Sequence, residues 1–213
     1  MFERLFREHG LLTRIRTDDG VPFAPIALGR LSALSVWWVR LGILPDLTEP
    51  SSPAQNGRHE RMHKMLKAEA TRPPEAHARA QQRRFDAFRA EYNAERPHEA
   101  LGQVTPASRY APSPRPYAAN GIAVRVLALE YPAHWEVRRV SRNGGIRGHN
   151  RWVNVSHLLA EDHVGYETVA DGVWQAYLGA LRLGRFEERS LRIIDAHGTS
   201  SRNPRRVVPM SSE

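Results

Sequence analysis

The sequence predicts an α/β part followed by a small all-β part that forms a barrel or a sheet. Up to about position 104 the apolar residues mostly recur at helical spacing, whereas later apolar runs are short and are separated by Asn143-Gly144 and Asp171-Gly172. These two dipeptides favour two-residue hairpin turns. The stretch Thr105 to Ala119 contains four prolines and predicts an extended linker, because proline cannot continue a helix.

These patterns divide the chain into four segments. We expect an α/β domain at residues 1–104, a linker at 105–119, a small β-barrel domain at 120–190 and a tail at 191–213. The last stretch, "HGTSSRNPRRVVPMSSE", is polar and lacks apolar periodicity, so we expect the tail to be disordered.

The α/β part predicts a β-α-β unit. Phe2, Leu5 and Phe6 lie on one face of an opening helix, and "TRIRT" predicts a strand that ends next to Asp18. A helix over "ALGRLSALSVWWVRLGI" and a second strand near "LPDLT" complete the unit. We expect a further helix from about Pro53 to Ala70 and another one before the proline-rich stretch.

The charge of the chain favours polyanionic partners. The formal net charge is +8, and the isoelectric point is about 10.5. Of the 31 basic residues only Lys64 and Lys67 are lysines, and the planar arginine side chain can bind two phosphate oxygens at once. An arginine-rich surface without a nucleic-acid partner is the alternative. The chain has no apolar run long enough to span a membrane, so we expect a cytoplasmic, nucleoid-associated protein.

The stretch His59-Glu60-Arg61-Met62-His63 fits the zinc-protease pattern H-E-x-x-H. Three fixed residues arise by chance in a chain with 10 histidines, so the pattern alone is weak. A catalytic zinc site also needs a third protein ligand, and no downstream residue stands in a recognisable context for one. We therefore interpret the two histidines as surface or structural residues.

The helix that carries Glu60 is predicted to have two different sides. At about 100° per residue, one side carries Glu60, Lys64 and Lys67, while the apolar residues Met62, Met65 and Leu66 cluster opposite. A solvated Glu-Lys pair at a spacing of four residues is the ordinary interpretation of such a face. The fact that both lysines of the chain lie there favours a binding function instead.

Three stretches, "IRTDDG", "PAQNGRHERMHKMLKAE" and "YNAERPHEALGQVTPASRY", resemble the DDE transposases of the insertion-sequence type, which have a retroviral-integrase-like catalytic core. Their order along the chain is that of the family. The resemblance implies a ribonuclease-H-like core followed by a small SH3-like barrel that binds DNA. It places the second catalytic aspartate at Asp18 and the catalytic glutamate at Glu60, and both are then ligands of Mg²⁺ or Mn²⁺.

The resemblance also implies the partners and the chemistry of the protein. Such enzymes transfer phosphodiester bonds between transposon ends and target DNA in a homo-oligomer, because two DNA ends must be joined in one event. Hard divalent ions held by converging carboxylates activate the attacking oxygen and stabilise the leaving one. Lys64 and Lys67 would then face the DNA backbone.

The chain departs from the family pattern in three respects. Thr17 stands where the family usually has serine, and Asp19 stands where it usually has asparagine. The family's first catalytic aspartate lies on a strand that would precede residue 1. We therefore expect this sequence to represent the C-terminal portion of a transposase that neither cleaves nor joins DNA by itself.

The β part contains a basic stretch. Between Val137 and Ala160 the sequence has no acidic residue and five arginines, which are Arg138, Arg139, Arg142, Arg147 and Arg151. We expect them to bind DNA phosphates, and the alternative is that they only solvate one face of the barrel. Two functional alternatives to a transposase also remain open at this point, a non-catalytic DNA-binding fragment and a gene remnant. For "YNAERPHEAL" we favour a structural role at a helix end.

Overall fold

The computed structural model describes residues 2–17, 28–47, 57–117, 129–148 and 151–200. They form two compact units. The first unit combines Met1–Leu47 with Arg115–Glu213, and the second comprises Thr48–Pro114. The segment boundaries proposed from the sequence stay a prediction.

The N-terminal part of the first unit is the predicted β-α-β unit. Helix α1 (Phe2–His9) precedes strand β1 (Arg14–Thr17), and helix α2 (Ala33–Arg40) leads to strand β2 (Leu44–Leu47). The two strands pair in parallel, with Arg14 opposite Leu44. A small aromatic core supports them, because the Phe2 ring meets the ring of buried Trp38 edge-on at 5.1 Å between centroids. The predicted opening helix and both strands are confirmed.

The helix predicted over residues 27–43 is shorter than the apolar spacing indicated. A single 3-10 turn spans Leu28–Arg30, and α2 begins only after Ser32. Gly29 and Arg30 have positive φ angles, which no α-helix tolerates. The Ser32 hydroxyl accepts a hydrogen bond from the Ser35 backbone N–H, and the Ser35 hydroxyl accepts one from the Ser32 N–H. This reciprocal cap fixes the start of the helix.

The second unit is helical. It contains α3 (Gly57–Ala70), α4 (Ala78–Ala94) and α5 (Pro106–Arg109), with a 3-10 turn at Glu99–Leu101. Helix α5 lies inside the stretch predicted to be an extended linker. Proline is favourable at the first helical position because its fixed φ suits a helix and its missing N–H would have no partner there.

The described residues in the rest of the first unit contain seven strands and a 3-10 turn at His157–Leu159. The strands are β3 (Glu136–Arg139), β4 (Gly145–Gly148), β5 (Arg151–Asn154), β6 (His163–Ala170), β7 (Val173–Leu178), β8 (Leu181–Glu187) and β9 (Arg192–Ile194). Five of them form an antiparallel sheet in the order β3-β6-β7-β8-β9, while β4 and β5 pair separately. The two end strands of the five-stranded sheet do not pair, so no closed barrel forms among the described residues. The all-β nature of this part is confirmed, and the barrel stays a prediction.

The two predicted hairpin turns differ in outcome. Asp171-Gly172 joins the antiparallel strands β6 and β7, as predicted. Asn143-Gly144 also lies in a turn, where the Gly144 N–H donates to the Ser141 carbonyl, but the flanking strands β3 and β4 do not pair with each other. The hairpin partner of β4 is β5 instead.

The strand β9 and an isolated bridge between Ile194 and Ser200 lie within the segment that the sequence analysis assigned to the tail. Residues 201–213 lie outside the described part. Among the residues that the structure describes, no helix is both long and apolar enough to cross a membrane.

Candidate metal ligands and nucleic-acid interface

Helix α3 has the two sides that its sequence predicts. Glu60, Lys64 and Lys67 are exposed. The opposite side carries the half-buried residues Met62, Met65 and Leu66 and ends at Ala70, which is 1% exposed. Helices α3 and α4 pack against each other, and Phe88 of α4 is buried. The charged side is therefore open to a ligand.

The Glu60 carboxylate is available for a cation, because it forms no hydrogen bond or ion pair with any residue of the described ranges. Carboxylate oxygen is also the ligand type that Mg²⁺ prefers. One carboxylate is not enough, since Mg²⁺ keeps its waters unless several anionic oxygens converge. Within the described ranges no three carboxylate or imidazole side chains come together. Asp18 and Asp19 lie outside those ranges, as does the side chain of His59.

The motif "YNAERPHEAL" stabilises the end of α4. The Arg96 guanidinium forms ion pairs with Glu69 of α3 and Glu91 of α4, and it lies 5.6 Å from the centre of the Phe88 ring. The hydrogen bond from Arg96 lowers the pKa of the Glu69 carboxyl. His98 packs edge-on against Tyr92 at 4.7 Å. These contacts support the structural role predicted for the motif.

Three of the five predicted DNA-binding arginines have acidic partners. Arg138 pairs with Glu136 on the same strand, β3. Arg139 and Arg142 both reach Glu161, and the Arg142 Nε lies 3.7 Å from its carboxylate. All three guanidinium groups are at least half exposed, so these pairs are surface contacts that a phosphate could replace.

The other two arginines form no ion pair with the described residues. Arg147 lies on β4 directly opposite Trp152 of β5, and Arg151 lies opposite Gly148. Both guanidinium groups belong to exposed residues. Arg147 and Arg151 are therefore the arginines of this stretch whose charge is not already compensated.

A narrow cleft lies beside Arg147. Its walls are Glu136, Arg138, Ile146, Tyr166, Trp174 and Phe186. Tyr166 is 3% exposed, and its burial raises the pKa of the phenol, so the hydroxyl stays protonated. The cleft is thus lined by two arginines, by Glu136 and by three aromatic residues.

The acidic partners and the aromatic side chain of this surface were not predicted from the sequence. Glu136 and Glu161 flank the acid-free window of residues 137–160 by one position on each side, so extending the window would have found them. Their pairing with arginines depends on how β3 and the turn before β6 are placed. Trp152 was visible as an aromatic residue beside a basic one, a pattern typical of nucleic-acid binding surfaces.

Residues 41–106 match the family described as "Integrase core domain". This family is typical of insertion-sequence transposases with an integrase-like catalytic core, and the resemblance predicted from the sequence is confirmed for this segment. The match includes Glu60, Lys64, Lys67 and most of "YNAERPHEALGQVTPASRY". It does not extend to Asp18 or to the arginines of the β strands. Proteins of this family typically use Mg²⁺ and bind DNA.

Proposed function

We propose that this protein acts in DNA transposition, as the part of an insertion-sequence transposase that contributes to Mg²⁺-dependent phosphodiester transfer. The observation that carries the proposal is the integrase-core match over residues 41–106, within which Glu60 presents an exposed carboxylate that has no partner among the described residues. We further propose that the α/β part has the ribonuclease-H-like fold of integrase cores and that the all-β part has SH3-like topology. The parallel β1–β2 pair and the five-stranded antiparallel sheet are compatible with these folds.

Asp18 and Glu60 are the proposed metal ligands and catalytic residues. A bound Mg²⁺ would activate the attacking oxygen and stabilise the leaving one. Glu60 would supply oxygen ligands from α3, and Asp18 would supply them from the end of β1. A two-ion site needs a further carboxylate, because two side chains leave most of the coordination positions of two ions to water. We propose that this carboxylate comes from outside the described residues.

Lys64 and Lys67 would position the DNA. Both lie on the Glu60 side of α3, and neither forms an ion pair with a described residue. An ammonium group on the same helical face as a metal ligand can bind a phosphate without carrying sequence information. The five arginines of residues 138–151 would bind further phosphates, and a second copy of the chain would hold the second DNA end.

DNA binding without catalysis is the second candidate function. The uncompensated charge of Arg147 and Arg151 favours it, because these residues lie outside the matched segment and need no metal. The two candidate functions differ in one respect: Glu60 and Asp18 bind a metal ion in the first and have no such role in the second.

The distinguishing experiment measures Mn²⁺ binding by electron paramagnetic resonance, together with nicking of supercoiled plasmid in Mg²⁺ or Mn²⁺. Four proteins are compared, the unchanged chain, Glu60→Gln, Asp18→Asn and the control Glu95→Gln. Glu95 is also an exposed carboxylate of the second unit, at the end of α4. We expect the Glu60→Gln and Asp18→Asn variants, when bound to DNA, to bind Mn²⁺ at least about tenfold more weakly than the unchanged chain does, because each substitution removes a charged ligand.

The control should bind Mn²⁺ as the unchanged chain does, and DNA affinity without metal should be similar in all four proteins. Equal Mn²⁺ binding by Glu60→Gln and Glu95→Gln would contradict the metal site and leave the DNA-binding function. Nicking by the unchanged chain that disappears in Glu60→Gln would show that the carboxylates of this sequence suffice for catalysis.

A further inference from the structure

The hairpin of β4 and β5 presents a tryptophan to solvent. Ile146 and Val153 are paired across the hairpin and are both buried, so they define its inner face. The next pair, Arg147 and Trp152, points to the opposite face because side chains alternate along a strand. Trp152 is 36% exposed, and it has no ring contact with another described aromatic residue.

The indole ring of Trp152 lies directly against the backbone of Gly145. A β-carbon on Gly145 would lie 2.5 Å from both Cε2 and Cζ2 of the indole and 2.7 Å from Nε1. Cε2 is one of the two atoms shared by the five- and six-membered rings of the indole. A group that approached this part of the ring in the ring plane would lie closer to the edge atoms Nε1 and Cζ2 than to Cε2. The equal distances therefore show that one ring face covers the Gly145 backbone. The 36% exposure of Trp152 therefore comes from parts of the ring other than this face.

The charge around the indole is positive. Arg147 is its direct cross-strand neighbour and forms no ion pair with a described residue. Arg151 precedes Trp152 in β5 and, by the same alternation, belongs to the opposite face of the hairpin. Arg147 and Arg151 thus belong to opposite faces of the hairpin, and among the residues of β4 and β5 themselves the one aromatic side chain, Trp152, is on the Arg147 face.

We propose that Trp152 and Arg147 form a stacking platform for an unpaired base of a DNA strand, with Arg147 binding the adjoining phosphate. An exposed ring face beside a cation is the arrangement that binds single-stranded nucleic acid with little sequence preference. In an intact duplex both faces of every internal base are covered by neighbours, so the indole can stack only where a base is unpaired. The module then prefers DNA with a single-stranded end or a disrupted base pair over a continuous duplex.

This inference rests on the proposed DNA binding of the β part, which it makes more specific. Stacking of one base on an aromatic ring changes affinity by about 5- to 150-fold. The phosphate contacts of the five arginines are common to duplex and single strand, so they do not create this preference. If the Trp152 ring only packed against Gly145, the protein would show no preference for DNA with a single-stranded end.

The experiment measures the affinity of the full chain by fluorescence anisotropy for three labelled DNAs, a blunt duplex, the same duplex with a 3′ single-stranded tail, and the single strand. The variants are Trp152→Leu, which keeps an apolar group over Gly145, and Trp152→Phe, which keeps a ring. Arg147→Ala and the matched control Arg151→Ala compare the contributions of the two faces of the hairpin to DNA binding.

We expect the unchanged chain to bind the tailed duplex at least about fivefold more tightly than the blunt duplex. Trp152→Leu should abolish this preference and change blunt-duplex affinity less than about twofold, whereas Trp152→Phe should retain most of it. Arg147→Ala should reduce the preference more than Arg151→Ala does. Quenching of tryptophan fluorescence by the single strand should become weaker in Trp152→Phe.

Two outcomes would overturn the inference and leave DNA binding intact. They are equal affinity of the unchanged chain for blunt and tailed duplexes, and a tail preference that survives in Trp152→Leu. Tighter binding of an RNA strand of the same sequence would overturn the assignment to DNA. Absence of binding to all three DNAs would instead contradict the proposed function.

Discussion

Replacing Glu161 by glutamine should strengthen DNA binding. Its carboxylate holds Arg139 and Arg142, whose side chains are 64% and 91% exposed. In the free protein this carboxylate compensates part of their charge, and a DNA phosphate must compete with it. The substitution keeps the size of the side chain and removes that competition.

The size of the effect follows from counterion release. Each arginine that neutralises a phosphate contributes about 0.9 to the slope of log affinity against log salt concentration. Full release of one or two arginines therefore steepens the slope by about 0.9 to 1.8. Between about 50 and 200 mM salt, the loss of affinity should grow by a further factor of about 4 to 12. Stability should change by less than about 1 kcal/mol, because these are surface ion pairs.

The assay is a fluorescence-anisotropy titration on duplex DNA at several salt concentrations. Glu130→Gln is the matched control, since Glu130 is exposed and forms no ion pair with a described residue. Both substitutions raise the net charge by one. If the two variants gain the same affinity and slope, the effect comes from net charge alone, and the idea that Glu161 restrains the two arginines is wrong.

Three further predictions concern stability and metal binding. Leu31→Ala should destabilise the protein by about 2–5 kcal/mol in urea unfolding, because Leu31 is 1% exposed and its loss leaves a cavity; a loss below about 1 kcal/mol would contradict this packing. The hydrogen bond from Arg96 lowers the pKa of Glu69, so this ion pair stabilises the protein above the ordinary carboxyl pKa and ceases to do so as the pH falls through the lowered pKa. Arg96→Ala should therefore lower the melting temperature more at pH 7 than at pH 3. An equal loss of melting temperature at the two pH values would refute the coupling. Purified protein should contain no stoichiometric zinc by elemental analysis, and zinc lost on His63→Ala would restore the protease hypothesis.

The sequence predicted those features that depend on neighbours in the chain. The spacing of Met62, Met65 and Leu66 correctly separated the two sides of α3, and Asp171-Gly172 correctly located a hairpin. Both patterns are local, since a helix face and a two-residue turn are set by residues a few positions apart.

Features that depend on distant partners were not predictable in this way. Apolar spacing continued through Gly29 and therefore concealed the break before α2, where Ser32 provides the cap. The ion pair between Arg139 and Glu161 requires the antiparallel pairing of β3 with β6. Such a pairing brings together residues that are too far apart in the chain to fall within one short stretch of sequence. Catalytic roles for Asp18 and Glu60 came from family resemblance, because neither composition nor spacing distinguishes them from other acidic residues.

The all-β part does not complete its core from its own strands. Val36 and Val39 of α2 are buried in the same cluster as Leu178 and Leu183 of the five-stranded sheet. Arg40 at the end of α2 also donates a hydrogen bond of 2.6 Å to Asp162. Because a sheet must bury its apolar face against another layer, α2 acts as the cover of this one. A fragment that begins after the proline-rich stretch would expose that face, so the arginines proposed to bind DNA depend for their placement on residues about a hundred positions earlier.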